Sequence, residues 1–347
     1  MIIDQESKII NHNINILKKI NKLDFYFLPK YIKLNIKKNQ ILKYFFYNEN
    51  KHFIMMPLIL NNLKVFDSDS HFYFETLYGY SGPISNTDNK TFLKKAWEVF
   101  LIDCINLNII SGLIRFNPFL NNHNLVFDIN FIELVKEKKI LFKKVSNNYS
   151  FYYNQFSKDV KNNLKKTHKI SLKISDSFSN LDISNFYQLY TELINSKDTN
   201  EMYAFNQEYF FNLINDFGNY TNLILAKVDN DLAGGLIYFK FNNIVHIHLS
   251  AVSLKFRKFG ISHSLRAHLF QIFQNTNTII NFGGGLTNLC DDSLYKFKSG
   301  FANESLDFFI GKVTIDVKKH IHYKDKALNK FGSKYNLMHM PYSFYSI

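Results

Sequence analysis

The chain has 347 residues, 46% of them hydrophobic, which is material for two compact domains rather than one core. Its formal charge of +13 points to polyanionic partners, whether nucleic acid, anionic lipid, or phosphate-bearing cofactors and substrates. Two cysteines, Cys104 and Cys290, form no CxxC pair, which excludes a zinc-cluster or disulfide framework and fits a reducing cytoplasm. The N-terminus "MIIDQESKIINHN" is polar where a signal peptide needs an apolar segment. The longest purely apolar run, "FIMMPLIL" at 53–60, is strand-sized, so no membrane span is expected. The abundance of Asn, Ile, Lys and Phe reads as a bias of the coding genome, and the Asn-rich patches carry no functional weight.

In chain order, "ESKIINHNINILKKINKL" has Ile and Leu at helical spacing and predicts a helix. "HFIMMPLIL" and "FYFETLYG" predict strands, the second ended by Gly79, Gly82 and Pro83 of "GYSGP". Residues 88–108 predict a helix capped by Asp88, and "SGLIRFNPFL" a short strand. "VFDINFIEL" and "ILFKKVSNNYSFYYN" read as extended. A basic helix over "SKDVKNNLKKTHKISLKIS" hands over to a strand, and helices follow at "LDISNFYQLYTELINSK" and "NQEYFFNLINDFG", the latter closed by Gly218. In "TNLILAKVDNDLAGGLIYFKFNNIVHIHLSAVS" the turns "VDND" and "KFNN" separate three antiparallel strands. A helix over 261–274, a strand at "NTIINFGG" and a helix or turn at "DDSLYKFKSGF" complete the pattern. The basic helix starts a new pattern, which puts the domain boundary near 150 and gives domains of 1–150 and 151–347.

The segment Arg257-Lys258-Phe259-Gly260-Ile261-Ser262 lies between a predicted strand and a predicted helix. Backbone N–H groups in such a turn point to one locus, and the helix N-terminus adds about half a positive charge. Gly260 would let the backbone approach a diphosphate, Ser262 would cap the helix, and Arg257 and Lys258 would supply charge. Read alone, the six residues fit a phosphate cradle or an ordinary basic turn. His246 and His248, two apart on one strand, share a face and read either as a proton acceptor for an amine or as a core pair. Asp291, Asp292, Tyr295, Lys296 and Lys298 follow the end of a strand, where open sheets place their ligands.

The spacing R-x-x-G-x-S resembles the coenzyme A pyrophosphate loop of the GNAT acyltransferases, R/Q-x-x-G-x-G/A, with Ser262 in place of the last small residue. "LYGYSGPI" at 77–84, "RFNPFL" at 115–120, "DVKNNLKKTHK" at 159–169, "NFGGG" at 281–285 and "SLYKFKSGF" at 293–301 resemble the FemAB-like branch of that superfamily, over residues 50–316. The resemblance implies an α/β (α+β) protein with two tandem GNAT-type domains, each a mixed, mostly antiparallel sheet flanked by helices. The first domain would form the acceptor side and the second would bind acyl-CoA. The implied activity is transfer from acetyl-CoA or another acyl-CoA to an amino group of a nucleotide sugar, glycan or cell-envelope precursor, without a metal. An aminoacyl-tRNA donor, as in FemABX enzymes, is the alternative within the enzyme class, and a nonenzymatic anion- or partner-binding module is the alternative outside it.

The resemblance also implies residue roles. A backbone N–H near Leu249, Ser250, Ala251 and Val252 would polarise the acyl carbonyl where two parallel strands splay, and Lys298 of the Phe297-Lys298-x-x-Phe301 pattern would face the substrate. Tyr295 would protonate the leaving thiolate, and Asp292 sits beside it. Tyr78 and Tyr80 would line the acceptor cleft, and Glu201, as a base, and Tyr203 would precede the acceptor channel.

Overall fold

Long-range strand pairing decides this architecture more than local propensity does. The computed structural model describes residues 1–4, 8–63, 68–196, 205–286 and 292–331. Its strands are β1 (Ile2–Asp4), β2 (Ile41–Glu49), β3 (His52–Leu63), β4 (Ser68–Glu75), β5 (Ile84–Ser85), β6 (Ile109–Arg115), β7 (Ile132–Val145), β8 (Leu172–Ser175), β9 (Thr221–Val228), β10 (Asp231–Phe241), β11 (Ile244–Val252), β12 (Thr278–Gly283) and β13 (Glu304–Thr314). Among the described residues no helix is long and apolar enough to cross a membrane.

The chain divides into two compact units, Met1–Glu137 together with the described residues from Asp307 onward, and Lys138–Leu306. The sequence places one boundary near 150. Here the division falls inside β7, and the chain after Asp307 belongs with the first unit because Ile310–Thr314 pair antiparallel with Arg115–Ser111. That register joins residues far apart in sequence, so no local pattern announces it.

In the first unit the strand order is β1-β2-β3-β4-β6-β13, with β5 on β3 and only β4–β6 parallel. The helix Lys90–Asn106 makes the crossover that a parallel pair requires. Its cap is Asn89, which accepts from Phe92 N–H, rather than the expected Asp88. Trp97 and Phe100 on this helix meet Phe45 and Phe74 in a buried apolar core, and Trp97 Nε1 donates to the Leu125 carbonyl at 2.7 Å.

In the second unit the order is β7-β12-β11-β10-β9-β8, antiparallel except for β11–β12. Three strands from 221 to 252 follow the expected hairpins, and the helix Ile261–Ile272 crosses from β11 to β12. Asp229 and Asn242 hold the two hairpin turns with φ of +55° and +51°. Among the described residues every non-glycine with positive φ is Asn or Asp, the side chains that tolerate the left-handed region best.

Three expectations change. "SNNYSFYYN" is not extended but carries the helix Tyr149–Gln155, started by Asn148 Oδ1 accepting from Phe151 N–H at 3.0 Å. Of "VFDINFIEL", 126–134, only Ile132–Leu134 are strand: Val126 closes a 3₁₀ helix over Asn122–Val126, and β7 starts at Ile132. The helix Gln207–Asn215 ends at Asp216, short of Gly218.

Candidate functional site

The parallel ladder between β11 and β12 is short. It pairs Ile244–His246 with Ile279–Asn281 and stops there. On its other side β11 carries a bulge: Ile237 pairs with Leu249 and Tyr238 with Ile247, which leaves His248 as the extra residue. The strands therefore part just after His246, and the β12-facing edge of β11 loses its ladder over the stretch that contains Ser250, Ala251 and Val252. Asn281 seals the closed end. Its Oδ1 accepts from Gly283 N–H at 2.9 Å, which turns Nδ2 toward the buried His246 Nδ1, also 2.9 Å away. His246 is thus a structural acceptor.

The helix Ile261–Ile272 starts beside this opening. Gly260 is its N-cap, with φ +75°, and the intrahelical bonds begin with His263 and Ser264 donating to the Gly260 carbonyl. The N–H groups of Ile261 and Ser262 precede that ladder. Ser262 stands inside the first turn, so the expected helix cap is corrected to Gly260. The close approach expected at Gly260 is also reassigned: a Cβ there would lie 2.2 Å from the Asn163 carbonyl oxygen. The glycine admits the basic helix Lys158–Lys166, which also leans on Gly300, where a Cβ would sit 2.7 Å from a Val160 methyl. Arg257 and Lys258 are exposed, Lys258 lying 5.2 Å over the Phe259 ring, whereas Ile261 is fully buried.

The strongest cation of the site is one the motif reading missed. Arg266 is 6% exposed and reaches back along its helix, Nη1 donating to Ser262 Oγ at 2.7 Å and to the Ser262 carbonyl at 3.0 Å. Nη2 donates to Ser250 Oγ at 3.1 Å, joining the helix start to the opened edge of β11. The guanidinium lies 4.8 Å over the Phe297 ring, and burial lowers its pKa to about 10. A charged residue four positions after Ser262, on the inward face of an apolar helix, was the available signal.

Lys298 stands across from it on the helix Ser293–Ser299, its carbonyl accepting from the N–H of the buried Phe301 at 3.0 Å. Its Nζ donates to the Gly284 carbonyl at 2.6 Å. Burial first, then Arg266 and Lys138, bring its pKa from 10.5 to about 7, against a smaller opposing effect of Asp292. Asp292 accepts from Tyr295 N–H at 2.9 Å and from Leu286 N–H at 2.7 Å, so it fixes the turn that carries Tyr295 and Lys298. Tyr295 packs half-buried against the core of the second unit.

His248 points elsewhere. Its Nε2 is hydrogen-bonded to Tyr209 Oη at 3.1 Å, its ring lies 4.5 Å from that of Phe239, and burial followed by the neighbouring His246 lowers its pKa to about 3. It stays neutral at physiological pH and is a weak proton acceptor. Tyr78 and Tyr80 belong to the first unit: Tyr78 is exposed, while Tyr80 is buried edge-on against Tyr26 and Phe308 at 5.3 and 5.8 Å. The turn beyond them is pinned by the buried Asn122, whose Nδ2 donates to the carbonyls of Ser81 and Pro83 at 2.7 and 2.9 Å. Glu201, Tyr203 and Asp291 lie outside the described residues. A cleft of about 570 Å³ along another face of the helix Ile261–Ile272, lined by Tyr149, Tyr153, Lys165 and His268, contains none of the expected site residues.

No protein-family model matches the sequence, and no curated protein is significantly similar to it. Solved structures are similar in fold. FemX superposes with a TM-score of 0.68 over 91% of this chain and 98% of that one at 10% identity. L-PGS from Bacillus licheniformis gives 0.57 over 89% and 92% at 12% identity. A tandem GNAT protein from the clavulanic acid biosynthesis pathway gives 0.50 over 90% and 98% at 7% identity. With its two mixed α/β units and an opened β11–β12 pair ahead of a crossover helix, the chain has the tandem GNAT fold of the FemX type.

Proposed function

We propose that the chain is an N-acyltransferase that passes an acyl group, acetyl in the simplest case, from an acyl-CoA to an amino group of a nucleotide sugar, glycan or cell-envelope precursor in the cytoplasm. The observation that carries this reading is the end of the β11–β12 ladder at His246–Asn281, immediately ahead of a helix whose first-turn N–H groups precede its own hydrogen-bond ladder. Edge N–H groups of β11 beyond His246 are suited to polarise a thioester carbonyl. The exposed Arg257 and Lys258 add charge beside the helix start for a diphosphate.

In the reaction the amine nitrogen attacks the thioester carbon, the C–N bond forms and the C–S bond breaks. The departing thiolate takes up a proton, and the amine gives one up to a general base, the role the sequence expects of Glu201. Tyr295 is assigned the first of these transfers. Asp292 acts through the turn it holds, and the neutral His248 contributes shape more than basicity.

A thermal-shift series tests the donor. Acetyl-CoA and CoA are expected to raise Tm by several degrees at about 100 times Kd, because a ligand that binds only the folded state adds to its stability. Silence toward both CoA species overturns the donor. A response to bulk tRNA alone moves the donor to an aminoacyl-tRNA, and a chain deaf to all three is a nonenzymatic module.

A further inference from the structure

Two cations face the opening. Among the described residues neither Arg266 nor Lys298 forms an ion pair; their partners are two serine hydroxyls, two backbone carbonyls and the Phe297 ring. Arg266 Nε is buried and has no hydrogen-bond partner. Lys138 adds a third positive charge: its side-chain stem would lie 2.9 Å from a Cβ on Gly284, the residue whose carbonyl receives Lys298. Asp292, the described carboxylate that acts on Lys298, is engaged with two backbone N–H groups. The nearby His263 is kept neutral by burial, with Arg266 and Lys166 opposing Asp159, and offers no negative charge. Like charges held together with water largely displaced, here a buried Arg266 and a half-buried Lys298, are costly unless an anion completes them.

We propose that Arg266 and Lys298 form an internal anion site that takes a phosphoryl group of the ligand entering between β11 and β12. The chemistry selects phosphoryl over carboxylate. Two full positive charges match a dianion, and a tetrahedral guest can accept from Arg266, from Lys298 and from the hydroxyls of Ser250 and Ser262 at once. A single carboxylate would leave one charge uncompensated. This assignment rests on the reading that the opening receives a substrate, and it lies deeper than the exposed Arg257–Lys258 turn. A diphosphate carries its two negative charges one on each esterified phosphoryl group, so the two cations match the diphosphate as a whole, whether that of the donor or that of a nucleotide-linked acceptor.

Sulfate is the probe, a tetrahedral dianion that does not titrate near neutrality. Isothermal titration of the full chain at pH 7, in buffers of different ionisation enthalpy, is expected to show sulfate binding with proton uptake, because the anion draws Lys298 toward its charged form. Arg266→Gln should weaken sulfate about tenfold or more, and Arg266→Lys should recover part of that loss. Lys298→Met should abolish the proton uptake, which a merely structural lysine would not affect. Unaltered sulfate affinity in Arg266→Gln, with the variant folded as judged by an unchanged Tm, overturns the site, as does binding without proton uptake in the parent chain. Should Arg266→Gln not fold, the buffer dependence of the parent and of Lys298→Met still decides. Displacement of sulfate by CoA assigns the phosphoryl group to the donor, and displacement only by a nucleoside diphosphate sugar assigns it to the acceptor. Sulfate bound at Arg266 in a chain that ignores CoA leaves the anion site standing and removes the acyl-CoA reading; a CoA response with no sulfate effect does the reverse.

Discussion

Gly260→Ala is expected to destabilise the second unit by about 3 kcal/mol or more, and to do so before any ligand is added. Two costs combine. The residue sits at φ +75°, where a side chain costs about 1–2 kcal/mol, and its Cβ would lie 2.2 Å from the Asn163 carbonyl oxygen. Because that atom is backbone within the helix Lys158–Lys166, relief requires moving a whole element. Chemical denaturation of the parent and the alanine variant measures the effect. Equal midpoints would mean that the helix does not rest on Gly260. The same variant also weakens any diphosphate site at the helix start, so loss of CoA binding here is to be read together with stability.

Lys298→Met is expected to change how stability depends on pH. The lysine has a folded-state pKa of about 7, against 10.5 for the free side chain. Below about pH 7 both states are protonated, and the cost of the buried charge is fully present. From 7 to 10.5 the unfolded chain binds more protons than the folded one, so stability rises with pH through that window, and above it the cost is gone. Methionine keeps the apolar stem and removes the titration. Urea midpoints at pH 7, 8 and 9 should therefore bring the parent up toward the variant, while the variant changes less. Parallel curves would mean that Lys298 is solvated in the folded chain.

Much of the second unit was legible. The turns "VDND" and "KFNN" fixed the β9–β10–β11 hairpins because Asp229 and Asn242 are the residues a left-handed turn accepts, and the helical period of 261–272 gave the crossover. What escaped has physical reasons. Tyr149–Gln155 is built of aromatic residues that favour strands, and only the Asn148 cap argues otherwise. The pairing of β13 with β6 is a property of the assembled sheet. In the site, Gly260 before a helix reads equally as an approach for a phosphate and as an approach for a neighbouring carbonyl, and the structure places the Asn163 carbonyl where its Cβ would be. Arg266 belongs to no motif; its place on the inward face of an apolar helix was a legible signal, but its burial with no ion-pair partner among the described residues shows only in the packed structure.

The left-handed turns carry a further consequence. Every glycine codon begins with GG, whereas asparagine is written AAU or AAC. A coding sequence driven toward A and T loses glycine codons along with those of alanine and proline, and glycine is the one of the three that left-handed turns use. Placing Asn21, Asn50, Asn108, Asn121, Asn242, Asn275 and Asn277 at positive φ lets this chain follow that drift without losing its turns. Gly260 is one of the places where the exchange fails, since left-handed geometry and absence of a Cβ are required together. Such doubly constrained glycines are the codons that should resist drift longest in related genes.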